Sequence, residues 1–485
     1  MIARHLLGYL PVQACQALVG FAGVAVFTRL MSAESYGVLS LMLAGLSLAH
    51  IVSFTWLQAA LARFHARAEA RGRLRDHLAT AYALYFAMAG AIAVGVVLTL
   101  VLVPMDRPIQ NALVFAAALF LLRGLMQMGL ESHKAAGRIA RYSVLQSGYL
   151  TAGFMLGAGL LIATDWGAAG VLAGGATAAA VAVVFDLPVM LRGAKGGARQ
   201  PVRARIYARY GGAVSASLVF ESLLSVGDRF LIAALMGSGA VGAYAAGYGL
   251  GERLLNIVFI WFAMAVWPMT VRALERDGAG AARGLAGRAA ALMALVSFPT
   301  AAGLALVAEP LAGLMLGESV RRPAADIMPW VAAAGLLNGI MTHYFHEAFT
   351  LTRRSGVMAA LMAGAAAFNL LLNLMLIPRF GLPGAAASTL IAYAAALVVC
   401  ALIGRRYFAL PLPWRDWTKA AGATALMAAA VLALPGAGAD WLDLLIRALT
   451  GALVYAAAAL MLNIADCRAW LRGAGHLAKR PAASG

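Results

Sequence analysis

Charge is scarce in this sequence. Only 12% of its 485 residues are charged, and just 20 of them are acidic, against roughly 25% charged residues in ordinary soluble domains. A soluble fold of this length could not cover its apolar surface with so little polarity, which excludes a soluble enzyme and most soluble binding modules. Cysteine is nearly absent too. Cys15, Cys400 and Cys467 are the whole complement, too few and too scattered for a disulfide framework or a thiolate metal centre. Long polar stretches are also missing. The longest connections, 65–77, 192–209 and 309–323, leave no room for a separate catalytic or nucleotide-binding domain. What is abundant is apolar: 63% of the chain is hydrophobic.

That apolar content is organised in runs. Fourteen stretches are long enough and poor enough in charge to cross a bilayer, from 6–28 at the start to 442–464 at the end. The fourth (111–130), seventh (211–236), eighth (241–269) and tenth (327–351) carry most of the polar residues discussed below. The first run is too long for a signal-peptide core and has no small-residue cleavage site after it, so it counts as a span. Lys and Arg together number 38, giving a net charge of +18. On a soluble protein that excess would point to nucleic acid; here it sorts by side. With the N-terminus in the cytoplasm, six basic residues fall outside (Arg29, Arg107, Arg321, Arg322, Arg379, Arg447), three fall within spans (Arg123, Arg229, Arg253), and the rest line the cytoplasmic face. The positive-inside rule therefore places both termini in the cytoplasm, and the basic excess implies no nucleic-acid partner.

An internal repeat runs through the spans. Leu121-Leu122-Arg123-Gly124-Leu125-Met126 matches Leu336-Leu337-Asn338-Gly339-Ile340-Met341 at an offset of 215. Trp166-Gly167 followed by Gly170 matches Phe380-Gly381 followed by Gly384 at 214, and Tyr36-Gly37 matches Val241-Gly242 at 205. A longer connection around 309–323 accounts for the change of offset. Six spans per repeat is an even number, so both halves insert the same way and are related by a pseudo-two-fold axis along the membrane normal. The expected fold is an all-α integral membrane protein of about 14 transmembrane helices. It comprises a six-helix lobe (1–191), a basic linker (192–209), a second six-helix lobe (210–404), and two extra helices with a tail (405–485).

Three stretches carry a family resemblance: Thr28 to Gly37; Asn369 to Ala387, with Asn369, Asn373, Pro378, Gly381 and Gly384; and Asp228-Arg229-Phe230 with Val241-Gly242-Ala243-Tyr244. They resemble the polysaccharide-transporter branch of the MATE/MOP flippase superfamily, over essentially the whole chain. The resemblance implies export of an undecaprenyl-pyrophosphate-linked oligosaccharide from the cytoplasmic to the periplasmic leaflet by alternating access, for lipopolysaccharide or exopolysaccharide synthesis. Its partners would be that lipid-linked sugar, membrane lipids, and the polymerase or ligase of the pathway.

Charges inside the spans mark where such a substrate would sit, because each costs at least roughly 2.5–3.5 kcal/mol at the bilayer centre. On the seventh span Ser217, Glu221, Ser225 and Asp228 share one helical face. The eighth carries Glu252, Arg253 and Asn256, and the fourth carries Arg123. Under the family reading Arg123 and Arg253 would grip the pyrophosphate, with Asn256 and Asn338 beside it. Glu221, Asp228 and Glu252 would take the coupling ion. The plainer alternative pairs Arg253 with Glu221 or Asp228 as fixed buried charges. His343 and Glu347, one helical turn apart, match a metal or proton-relay spacing, but no second pair supports a metal, and a hydrogen-bonded helix-end cluster is the expectation. No cofactor is implied. Asn369 and Asn373 suit either a sugar vestibule or interhelical glue.

Three rival functions compete. A multidrug antiporter of the same superfamily usually has an acidic residue in the first span, whereas no Asp or Glu precedes Glu34 here. A lipid II flippase also has fourteen spans, but that group carries arginines within its first two, where this chain has only Arg29 and Arg63 at the ends. A membrane-embedded polymerase or ligase would need a large external loop bearing carboxylates, and Asp440 with Asp443 sits in a very small one.

Overall fold

The computed structural model describes residues 2–352, 354–436 and 438–469, and every regular element among them is helical. The first seven spans are α1 (Ile2–Leu30), α2 (Ala33–Ala70), α3 (Leu74–Leu102), α4 (Arg107–Ala135), α5 (Ile139–Ala163), α6 (Ala168–Ala194) and α7 (Pro201–Met236). A helical stretch from Ser238 to Leu306 breaks at Gly278 (φ 82°) into α8 (238–277) and α9 (279–306). After α10 (Glu318–Leu351), the stretch Ser355–Tyr407 breaks at Gly381 into α11 (355–380) and α12 (382–407). The last two are α13 (Trp414–Leu432) and α14 (Asp440–Leu462).

Both breaks are reversals of the chain. Ser388 donates to Asn373 Oδ1 at 2.6 Å, although fifteen residues of straight helix would hold them about 22 Å apart. Likewise Val266 and Ala290 line one small cavity across Gly278. Fourteen long helices result among the described residues, as the hydropathy pattern predicts. Ten helical stretches pass a strict test of length and apolarity, one of them holding both α11 and α12. Two of the remaining spans are markedly polar: α7 with Glu221, Asp228 and Arg229, and α13 with Arg415, Asp416 and Lys419.

The repeat is visible in backbone geometry. Gly167 has φ 54° and ψ −126°, and Gly381, its counterpart, has φ 61° and ψ −137°. That conformation is open to glycine and strained for other residues. At the other matched pair, the two glycines face each other reciprocally. A Cβ on Gly37 would overlap the carbonyl oxygen of Ser238, and one on Gly242 would overlap that of Ala33. Ala33 and Ser238 open α2 and α8 at the same offset as the glycines.

Contacts divide the chain into two units, Met1–Ala245 and Ala246–Gly485. In the first, α7 belongs with α1–α6: a Cβ on Gly211 would overlap the Trp56 carbonyl, so α7 lies backbone-to-backbone on α2. Its core clusters Phe54, Leu57, Tyr85, Phe120 and Met128 from α2, α3 and α4. Helices α5 and α6 meet at Gly157 and Gly174, the small-residue contact expected where lipid offers no hydrophobic drive to association. In the second unit, Gly247 and Gly251 open α8 to α10, and Ala294, Ala420, Met427 and Tyr455 join α9, α13 and α14.

Candidate functional site

In the first unit the intramembrane arginine expected on α4 is half-buried. Arg123 Nε is shielded from solvent and has no hydrogen-bond partner, and no carboxylate pairs with this side chain among the described residues. Beside it lies His50 of α2, close enough to feel the guanidinium charge. His50 Nε2 lies 3.2 Å from Gln58 Oε1 and its ring stands edge-on to Phe54 and Phe120. A π-helical turn, Ile51–Thr55, separates His50 from Gln58. Such wide turns insert a residue into the helical ladder and often occur at functional positions. Here it brings the two polar groups together and drives Phe54 into the core, against the open face of Gly124.

The acids of α7 have separate environments despite sharing a helical face. Asp228 is 1% exposed, and its carboxylate accepts from the Tyr244 hydroxyl and from the Arg229 backbone N–H. Glu221, seven residues earlier, is exposed. Ser225 lies half-buried between them, and the side chain of Ser217 lies outside the described residues. Burial of this carboxylate is tolerated because hydrogen bonds from its own helix neighbour and a tyrosine replace water. The hydrogen-bond partners that close over Asp228 are Tyr244 and Arg229.

In the second unit, Glu252 and Arg253 are half-buried on α8 and Asn256 is exposed one turn further. Asn338, on α10, is half-buried and its side-chain oxygen accepts from Thr342 at 3.3 Å. Just beyond it α10 has its own π turn, Met341–Phe345, where His343 stacks on Phe259 with centroids 5.7 Å apart. A cavity of about 30 Å³ beside it is lined by Thr270, His343 and Glu347. No cluster of three metal-ligating residues exists among the described residues. Asn369 and Asn373 are buried and bonded to each other and to Ser388, so they join α11 to α12 and do not line an open vestibule.

One network escaped the sequence reading. Asp186 of α6, 2% exposed, takes His133 of α4 on both oxygens (2.8 and 3.0 Å) and Arg141 Nε at 2.8 Å. The signal was available: Asp186 is the only acidic residue in the run 170–191, and a lone intramembrane carboxylate demands a partner.

Comparison with known proteins places this geometry. Residues 26–322 match the family described as polysaccharide biosynthesis protein. No curated protein matches the sequence significantly. Among solved structures, the lipid II flippase MurJ in an inward closed conformation superposes with a TM-score of 0.75 at 12% identity, covering 94% of this chain and 99% of that one. An inward-facing multidrug resistance MATE transporter of the MOP superfamily gives 0.62 at 15% identity, covering 81% and 94%. A MOP superfamily transporter from Pyrococcus furiosus gives 0.57 at 15%, covering 84% and 94%. At these identities the structures speak for the fold, and the family match, spanning more than half the sequence, speaks for descent. The chain is a multi-pass membrane protein of the polysaccharide biosynthesis protein family, with a fold like that of the lipid II flippase MurJ and of MATE transporters of the MOP superfamily.

Proposed function

We propose that this protein flips a lipid-linked oligosaccharide, with an undecaprenyl-pyrophosphate carrier, from the cytoplasmic to the periplasmic leaflet of a bacterial inner membrane by alternating access. The observation that carries the reading is Arg123. A guanidinium inside a hydrocarbon-embedded bundle needs an anion, and this one has no carboxylate and an unused shielded Nε. A pyrophosphate supplies oxygens in the geometry that the guanidinium fork matches. Arg253, Asn256 and Asn338 would complete the substrate contacts, with Glu221, Asp228 and Glu252 serving ion coupling. The lobes 1–191 and 210–404 would rock about the linker 192–209, with both termini cytoplasmic. An anion leaving a negative-inside cell moves downhill by about 2.3 kcal/mol per charge per 100 mV. The product would feed lipopolysaccharide or exopolysaccharide assembly by a polymerase or ligase, and the protein itself makes no bond.

The test is translocation of a fluorescent undecaprenyl-pyrophosphate oligosaccharide in proteoliposomes. Arg123→Gln should slow flipping by about tenfold or more, the equivalent of one charge-assisted hydrogen bond, with Arg123→Lys intermediate. Unchanged flipping in Arg123→Gln would remove the pyrophosphate role. The superposition with MurJ over 94% of the chain supports a second reading, lipid II as substrate. Flipping of lipid II but not of oligosaccharide carriers in the same vesicles would establish it.

A further inference from the structure

Helices α5 and α6 do not stay together along their length. They touch at Gly157 and Gly174, and Gly153 still approaches Gly175, where a Cβ would lie 3.6 Å from the neighbouring Cα. Toward the other end they part, and a cleft of about 660 Å³ opens between residues 140–152 and 178–185. Buried Ala178 and Ala182 form its floor, while Val144, Val181 and Phe185 stand exposed as its walls. Gly148 faces open space, where a Cβ would meet nothing within 4 Å. Both helices span the membrane, so hydrocarbon surrounds this cleft.

Its open end carries one charge, and that charge is fixed in place. Arg141 lines the cleft with its side chain 38% exposed. Nε is held by Asp186 at 2.8 Å, and Nη2 donates to the Phe185 carbonyl at 3.1 Å. Asp186 is in turn held by His133, and both are 2% exposed. Burying a carboxylate inside a helical bundle is costly even when it is paired, so a buried pair is weak evidence for stability alone. What this one accomplishes is to lock the Arg141 fork at the mouth, with donors to spare beyond the two in use. Lys134, Arg138 and Arg192 belong to the same basic end of these helices.

We infer that this cleft is a binding site for one anionic phospholipid of the surrounding leaflet, its acyl chain between α5 and α6 and its phosphate on Arg141. The shape suits a flexible chain: narrow at the glycine contact, apolar along its length, open to the bilayer at the side. The mouth suits a phosphodiester, because a pre-oriented guanidinium loses little freedom on binding it. A zwitterionic lipid brings a cation toward the same basic end and gains less.

Native mass spectrometry of the delipidated full chain tests this, with dioleoylphosphatidylglycerol and dioleoylphosphatidylcholine as the probes. The wild type should retain one phosphatidylglycerol with a preference of about tenfold. Gly148→Trp, which has space to enter the cleft, should abolish that retained lipid, and Arg141→Gln should erase the preference. Val97→Trp, on the exposed face of α3, should change neither. Thermal melts in detergent check that each variant is folded; if Arg141→Gln is not, Gly148→Trp decides alone. Equal retention of both lipids by the wild type, or undiminished retention by folded Gly148→Trp, overturns the proposal. Dimerisation through this face with the lipid excluded overturns it equally.

Discussion

Asp228 and Arg123 answer the same problem in opposite ways. Asp228 is closed over by Tyr244 and its own chain, whereas Arg123 keeps an unused donor in a shielded place. The difference predicts different phenotypes. Tyr244→Phe leaves the Asp228 carboxylate with the Arg229 backbone N–H alone and should destabilise the protein by roughly 1.5–3 kcal/mol, the range for a hydrogen bond to a charged group. Thermal unfolding in detergent reads this as a lowered midpoint. Arg123→Gln should leave that midpoint nearly unchanged while slowing transport, because it removes a side chain without a protein partner. Asp186→Ala strips His133 and Arg141 of their shared anion. Breaking a buried pair in this way costs about 3–5 kcal/mol, and the half-exposed Arg141 puts the expected loss toward the lower end of that range. These residues also show how far a sequence can be read. Arg123, Asp228 and Arg253 stand out as charges in apolar runs. The tyrosine that closes over Asp228 does not, because it lies sixteen residues on, beyond the turn at Gly237. Asp186 was visible by the same rule as Arg123, but its partners His133 and Arg141 sit beyond the apolar runs and come together only when α4, α5 and α6 pack.

At the scale of the helix, small residues decide where backbones approach. A Cβ on Gly174 would overlap the Gly157 amide nitrogen, a backbone atom that cannot swing aside. Gly174→Leu should therefore prevent α5 and α6 from meeting, seen as loss of the monodisperse peak in size-exclusion chromatography. Gly148→Leu, facing open space on the same pair of helices, should remain folded. Hydropathy located the helices because a bilayer imposes one length scale on all of them. It located their ends less well: α2 runs to Ala70 and α8 to residue 277, past the apolar runs 36–61 and 241–269. Beyond the bilayer only capping and tertiary contacts stop a helix, and apolarity says nothing about them. The π turns at Ile51–Thr55 and Met341–Phe345 were likewise invisible, since each depends on one inserted residue and what packs against it.

At the scale of the whole chain, the repeat was legible as three short matches at offsets of 205, 214 and 215. Helix starts account for the larger part of the difference. α2 and α8 begin 205 residues apart, as do α3 and α9, whereas α4 and α10 begin 211 apart. The lengthening lies between α9 and α10, where the second half carries a short helix, Ala308–Met315, and the first half has only the connection 103–106. Removing a single residue between Ala33 and Gly37 should accordingly impair insertion and folding, measured by fluorescence-detected chromatography of a tagged chain, more than removing one from the largely exposed connection 103–106.

That contrast follows from the reciprocal glycines. One residue added between Ala33 and Gly37 would turn the glycine about 100° around its helix and bring a side chain onto the Ser238 carbonyl in its place. The same insertion between Ser238 and Gly242 would do the mirror damage to Ala33. Each copy of the duplicated sequence thus acts as a ruler for the other at this crossing, and neither could change length there without the other. Drift between the copies was open only away from this crossing, and the extra helix before α10, which packs its own buried face through Ala308 and Ala312, is where it accumulated.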